Sequence, residues 1–161
     1  MTIFKEKISE DLTINFHVTV KDNHIIKTTF KAADEAAFFC TIELDQDNPI
    51  VVNKILTWLK DYINKKPSIN LPLLIQESDF KLRVYQSLLK LEIGKTASYQ
   101  DIALEIGSKN AARAIGNACN KNPFPLFIPC HRVNRKNKQI GGFALPIKIK
   151  QDLLAFESSL A

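Results

Sequence analysis

No apolar run in this 161-residue chain approaches the roughly 20 residues that a membrane-spanning helix needs, so the sequence does not read as an integral membrane protein. The first eleven residues carry Lys5, Glu6, Lys7, Glu10 and Asp11 and no apolar core, so no secretory signal is expected there. There are only three cysteines and no CxxC, which argues against a disulfide framework or a cysteine zinc site. Unpaired thiols point instead to a reducing, cytoplasmic compartment. Internal repeats and low-complexity tracts are also missing. What is there is 45% hydrophobic and 24% charged, the composition of an ordinary globular protein of one large domain or two small ones. A chain of this length buries roughly two-thirds of its unfolded surface.

The charge is uneven. Residues 1–77 hold nine lysines, no arginine and eleven acids, a net of −2, whereas residues 78–161 hold thirteen basic residues and six acids, a net of +7. A basic second half suits a polyanion, nucleic acid above all; a solvated basic face without a ligand gives the same count.

Leu12, Ile14, Phe16, Val18 and Val20 alternate with polar residues and read as a half-buried strand. Asp22-Asn23 reads as a turn, His24 to Phe30 as a second strand, and Cys40, Ile42 and Leu44 as part of a third. The short connections favour an antiparallel meander. Asn48-Pro49 has the form of an N-cap followed by proline at the first helical position, and Val51, Val52, Ile55, Leu59, Tyr62 and Ile63 share one helical stripe. Residues 1–72 thus form a small α/β domain ending in a linker, and residues 73–161 a mainly helical one. In the second domain Ser78-Asp79 caps a helix carrying Phe80, Val84, Leu88 and Leu91. Ser98 and Asp101 have capping-box spacing at the head of a short helix. A second short helix runs from Ala111 to about Asn120, and the two read as a helix-turn-helix. The second is rich in Ala and contains Gly116, which costs about 1 kcal/mol of helix propensity relative to Ala. Either another helix packs tightly there or a DNA backbone comes close, with Arg113 and Asn117 as the long polar side chains.

Asn122-Pro-Phe-Pro-Leu-Phe-Ile-Pro-Cys130-His131-Arg132-Val133 is the most informative stretch. Its prolines forbid a regular helix. Cys130 is expected on a stiff, extended, largely buried segment, where the flanking cations His131 and Arg132 lower its pKa toward a reactive thiolate. An inert buried thiol is the alternative reading.

Pro-Cys-His-Arg-Val, preceded by Asn-Pro and followed by Gly-Gly-Phe, resembles the active-site segment of the O6-alkylguanine-DNA alkyltransferases, also called methylated-DNA–protein-cysteine methyltransferases. The resemblance runs from Phe80 to Glu157, about half the chain, through Gly94-Lys-Thr, Ser98-Tyr99, Ile102-Ala103 and Arg113-Ala-Ile-Gly116. It implies an α+β protein with an N-terminal ribonuclease-H-like domain. It implies that Cys130 accepts the alkyl group, that His131 removes the thiol proton through a water, and that Glu157 orients the histidine. Asn122 supports the turn around the cysteine, and Tyr99 contacts the backbone phosphate and can donate to the departing guanine. Arg113 replaces the flipped nucleotide, with Ala112, Gly116, Asn117 and Arg132 also at the DNA. Val133, Phe143, Ala144, Leu145, Lys150 and Pro125 are placed at the substrate pocket. The implied partner is double-stranded DNA containing O6-alkylguanine, or O4-alkylthymine, bound through the minor groove by a monomer.

The chemistry fits. A thiolate displaces the alkyl carbon from oxygen, the leaving oxygen needs hydrogen-bond donors, and a stacked base must leave the duplex first. S-methylcysteine is a stable thioether, so each molecule reacts once, and no cofactor is required. Phe143-Ala144-Leu145-Pro146 departs from the glycine-rich pattern of the family, which narrows the pocket against bulky adducts such as O6-benzylguanine. For metal, His17, His24 and Cys40 are the only N-terminal candidates and lack zinc spacing. A non-enzymatic lesion binder, a helix-turn-helix regulator and a thiol redox protein are the competing readings. Cys130 opposes the first, the short side chains of the second short helix the second, and the lack of a resolving cysteine the third.

Overall fold

The computed structural model describes residues 1–33, 35–66, 69–135 and 146–159. They fall into two compact units, Met1–Ile75 and Gln76–Ala161. Among the described residues there are five α-helices and one four-stranded mixed sheet, an α+β architecture. No helix among them is long and apolar enough to cross a membrane.

In the first unit, strands β1 (Thr2–Ser9), β2 (Ile14–Lys21), β3 (His24–Lys31) and β4 (Phe38–Leu44) lie in the order β1-β4-β2-β3. Asp22 and Asn23 both take positive φ, which matches the twist of a two-residue hairpin between β2 and β3. The expected antiparallel meander is not what forms. After β3 the chain steps round the end of β2 and returns as β4, parallel to β2, while β1 pairs antiparallel on the far side of β4. Alternation tells which face a strand buries but not which neighbour it takes. The two strands with the cleanest alternation, Ile14-Phe16-Val18-Val20 and Phe38-Cys40-Ile42-Leu44, occupy the centre and bury these residues completely or nearly so. β1 shows no clear alternation in the sequence, since Ile3, on its outer face, is exposed.

Helix α1 (Pro49–Ile63) starts where Asn48 accepts from the Val51 N–H at 3.2 Å, with Pro49 in the first turn. It buries Val51, Val52, Ile55, Leu56, Leu59 and Tyr62, and Lys60 pairs with Glu6 of β1 at 3.5 Å. The chain beyond is not a free linker up to residue 72. Ile25 donates to the Pro72 carbonyl at 2.8 Å and Leu74 donates to that of Ile25 at 2.9 Å, so residues 72–74 line the edge of β3 and the unit extends to Ile75.

In the second unit, Ser78 caps α2 (Asp79–Leu88). The two-residue strands β5 (Ala97–Ser98) and β6 (Val133–Asn134) pair in parallel. Helix α3 (Tyr99–Glu105) opens with a complete capping box: Asp101 N–H donates to Ser98 Oγ and Ser98 N–H to Asp101 Oδ2, both at 2.9 Å. Gly107, with φ +74, ends it, and α4 (Ala112–Asn120) follows after a short turn. Helix α5 (Ile147–Ser158) closes the unit.

Candidate active site around Cys130

The loop before Cys130 is compact rather than extended, contrary to expectation. Buried Asn122 organises it: its amide donates to the Ile128 carbonyl, and its oxygen accepts from the Phe124 N–H, both at 2.9 Å. Leu126 takes a φ of +74, and Phe124, Leu126, Phe127 and Ile128 are buried. Cys130 then opens a single 3-10 turn, Cys130–Arg132. The prolines prevent an α-helix here but leave room for this tighter turn.

The flanking cations do not activate the thiol. Burial pushes the Cys130 thiol up to about 11, and the groups that act against burial are the Asn122 amide and the Lys150 ammonium. His131 and Arg132 are both committed to Glu157. His131 Nε2–H donates to Glu157 Oε2 at 2.6 Å, and Arg132 donates from Nε to Oε1 at 2.7 Å and from Nη2 to Oε2 at 3.2 Å. The remaining Arg132 nitrogen, Nη1, donates to the Leu91 carbonyl at 2.7 Å. Arg132, expected at the DNA, is therefore buried and engaged inside the protein, and it is withdrawn from the DNA-contacting set.

Burial lowers the pKa of His131 more strongly than Glu157 raises it, so the imidazole is neutral. A neutral ring that donates through Nε2 has its lone pair on Nδ1. That buried Nδ1 has no hydrogen-bond partner among the described residues. Burial raises the Glu157 carboxyl, but the His131 hydrogen bond and the Arg132 fork outweigh it and hold the group down at about 2.

The family resemblance places Lys150 only at the substrate pocket. It is fully buried, and its ammonium donates to the Val133 carbonyl at 2.7 Å. The signal was present: Lys150 and Glu157 fall on the same stripe of α5 as Leu153, so two charged residues sit where the helix buries itself. Val133 and Pro125 are buried as well, whereas Phe143, Ala144 and Leu145 lie outside the described residues.

Tyr99 begins α3 and is half-buried. Burial, and then the nearby Cys119 and Cys130, push its hydroxyl up to about 12 against the pull of Arg135. Cys119 is itself buried and pushed up to about 12 by burial and then by Cys130. On α4, Arg113 and Asn117 are exposed and Ala112 and Gly116 half-buried, while Ile115, Ala118 and Cys119 face inward. Among the described residues a Cβ at Gly116 would meet only the Tyr99 ring, at an ordinary 4.0 Å. Packing against these residues thus does not require glycine there. Elsewhere, His24 Nδ1 lies 2.7 Å from the Asp22 carbonyl, and Cys40 is buried in β4. No group of three or more His, Cys, Asp or Glu residues suited to a metal ion comes together among the described residues.

The unit from Gln76 onward is therefore a helical body in which a buried Cys-His-Glu arrangement stands beside an exposed small-residue helix. The family model described as 6-O-methylguanine DNA methyltransferase, DNA binding domain, matches residues 79–159, and the chain belongs to that family. The probable methylated-DNA–protein-cysteine methyltransferase of Acanthamoeba polyphaga mimivirus is 41% identical over 88 residues, 55% of this chain and 58% of that protein. The constitutive methylated-DNA–protein-cysteine methyltransferase of Bacillus subtilis is 39% identical over 101 residues, 62% of this chain and 61% of that protein. The chain thus matches less than two thirds of either relative's length. A crystal structure of a Mycobacterium tuberculosis OGT variant has a TM-score of 0.69 at 26% identity, covering 91% of this chain and 94% of that one.

Proposed function

We propose that this protein repairs DNA by direct reversal, transferring a methyl or larger alkyl group from O6-alkylguanine, or from O4-alkylthymine, in duplex DNA to Cys130. The observation that carries the reading is the buried Cys130-His131-Glu157 arrangement, in which a neutral imidazole fixed through Nε2 presents the lone pair of Nδ1. With its thiol pushed up to about 11, Cys130 rests protonated, so ionisation belongs to the reaction itself. The thiol proton passes through a water to His131 Nδ1, and Glu157 stabilises the imidazolium that forms. The sulfur attacks the alkyl carbon, a C–S bond forms and the C–O bond breaks. The O6 oxygen keeps the electron pair, and the guanine takes up a proton, with Tyr99 as the donor at hand. S-alkylcysteine is the product, and each molecule acts once.

Asn122 and Lys150 act as positioning residues, Asn122 through the loop and Lys150 through the Val133 carbonyl. That carbonyl and the one of Cys130 accept from the guanine amine, with Pro125, Phe143, Ala144 and Leu145 completing the pocket. Helices α3 and α4 are read as a helix-turn-helix with α4 in the minor groove. There Ala112 and Gly116 let the backbone approach, Arg113 fills the place of the flipped nucleotide, and Asn117 adds a polar contact. The first unit is read as ribonuclease-H-like. Three free, buried cysteines suit the reducing cytoplasm, and the family resemblance suits a monomer.

Intact-protein mass spectrometry after mixing with an O6-methylguanine duplex tests the reading. One methyl, about 14 Da, is gained per chain and none by Cys130→Ala. Absence of any gain, with lesion binding retained, would make the protein a non-enzymatic lesion binder.

A further inference from the structure

The first unit carries nine lysines and ten acids over residues 1–75, a slight acidic excess. The outer face of its sheet does not share that balance. The pairing register places Lys7, Phe39, Asn15 and Lys31 in one row across β1, β4, β2 and β3. The next row holds Lys5, Thr41, His17 and Thr29, and the last Ile3, Glu43, Thr19 and Lys27. Four of the nine lysines therefore stand on this face, all exposed, and Glu43 is the only one of the ten acids within the rows. Glu35, in the loop before β4, borders one corner near Lys5, and Lys7 pairs with Glu10. The lysines form two lines, along β1 and along β3, roughly 14 Å apart by strand spacing. Between them runs a half-buried strip of Asn15, His17 and Thr19 on β2 and Phe39, Thr41 and Glu43 on β4. The field of the lysines is felt at its centre: burial, and then Lys31 and Lys5, lower the pKa of His17 against the pull of Glu43.

Lysines on edge strands also deter edge-to-edge pairing. Charge of either sign serves that purpose, so deterrence does not account for the sorting by sign. A protein partner is the weaker fit, because protein interfaces are anchored by aromatic and apolar residues at their core. Here the centre of the face holds a single aromatic ring, Phe39, already covered by the Lys5 ammonium at 4.8 Å from its centroid, and is otherwise hydroxyl, amide, imidazole and the Glu43 carboxylate. Lysine, threonine and asparagine are the side chains that contact phosphate oxygens without reading sequence.

We propose that the outer face of this sheet is a second DNA-contacting surface, separate from α4, which holds the phosphate backbone of duplex DNA through Lys5, Lys7, Lys27 and Lys31. It takes from the repair reading only the identity of the polyanion. Its place is to add sequence-independent affinity that the lesion site does not supply.

The test is the salt dependence of binding to an undamaged duplex, followed by fluorescence anisotropy on the full chain. The variants are Lys27→Gln/Lys31→Gln, Lys5→Gln/Lys7→Gln, and a control pair, Lys54→Gln/Lys66→Gln, of exposed lysines elsewhere in the unit. Each phosphate contact contributes about 0.9 to the slope of log affinity against log salt. Each face pair is expected to make the slope shallower by about 1 to 2, and the control pair to leave it unchanged. Lys27→Arg/Lys31→Arg should keep the wild-type slope, and melting temperatures identify any variant that fails to fold. Unchanged slopes in both face pairs would overturn the proposal, as would an equal loss in the control pair. Methyl transfer to Cys130, read by mass in the same variants, reports separately on the repair reading.

Discussion

Glu157 carries two duties with two oxygens. It fixes His131 through Oε2, and it neutralises the buried guanidinium of Arg132. Removing its charge strands that cation, and breaking a buried pair by taking away one partner costs about 3–5 kcal/mol. Glu157→Gln is therefore expected to lower the melting temperature clearly and to slow methyl transfer by about 100-fold, the scale of a lost acid–base contribution. A stopped-flow or quench measurement of transfer beside a thermal melt checks both; a stable variant with full activity would remove Glu157 from both roles. At this scale the sequence was legible in part. Cys130, His131 and Glu157 stand out by resemblance, and the caps at Asn48, Ser78 and Ser98 by local spacing. The sequence reads the thiol pKa as lowered by its neighbours, but adjacency in the chain is not proximity of charge, and burial raises it. In the 3-10 turn the neighbours of Cys130 point to Glu157, and what reaches the thiol are Asn122 and Lys150, eight residues before it and twenty after.

Among the elements, α4 separates structure from function most cleanly. Gly116 has room for a methyl group among the described residues, so Gly116→Ala should leave the melting temperature unchanged or raise it, by up to about 1 kcal/mol of helix propensity. If α4 lies against the DNA as proposed, the same substitution should weaken duplex binding by about tenfold, because the added carbon would stand on that surface. A melt and a binding titration on one sample decide the matter; lower stability with unchanged affinity would return Gly116 to internal packing. Periodicity reveals α1 and its buried side, and Val84 and Leu88 of α2, whose Phe80 is only half-buried and which ends before Leu91; α4 shows by its small residues and not by a buried stripe. The order of the strands was not legible, since whether β4 adds to β3 or steps round β2 depends on the whole sheet and not on any one segment. β1, with Lys5, Glu6 and Lys7 in its middle, offers too weak an alternation to be seen alone.

The molecule as a whole should be most stable between about pH 6.5 and 9. Below an ordinary histidine value of 6.5, unfolded His131 takes a proton that the native state refuses, and the unfolded chain is favoured. Glu157 adds to this below its ordinary 4.5, and its contribution is lost down to about 2. Above an ordinary cysteine value of 9.0, unfolded thiols ionise while Cys130 holds its proton to about 11 and Cys40 and Cys119 to about 12. The unfolded state then binds fewer protons, and stability falls again. Melting temperatures measured across this range should trace a dome, and a flat profile from pH 8 to 4 would contradict the buried His131-Glu157 pair.

The parallel pair of Ala97-Ser98 with Val133-Asn134 has a further consequence. Tyr99 leaves one side of this ladder directly, and Cys130 enters the other side three residues ahead of Val133. The gap between phenol and sulfur is thus gauged by four bonded residues and not by the thirty that separate them along the chain. In an engineer's terms the tolerance chain is short. The turn between α3 and α4 can lengthen or change its sequence while the working clearance stays as it was, whereas the loop that Asn122 holds ahead of Cys130 cannot.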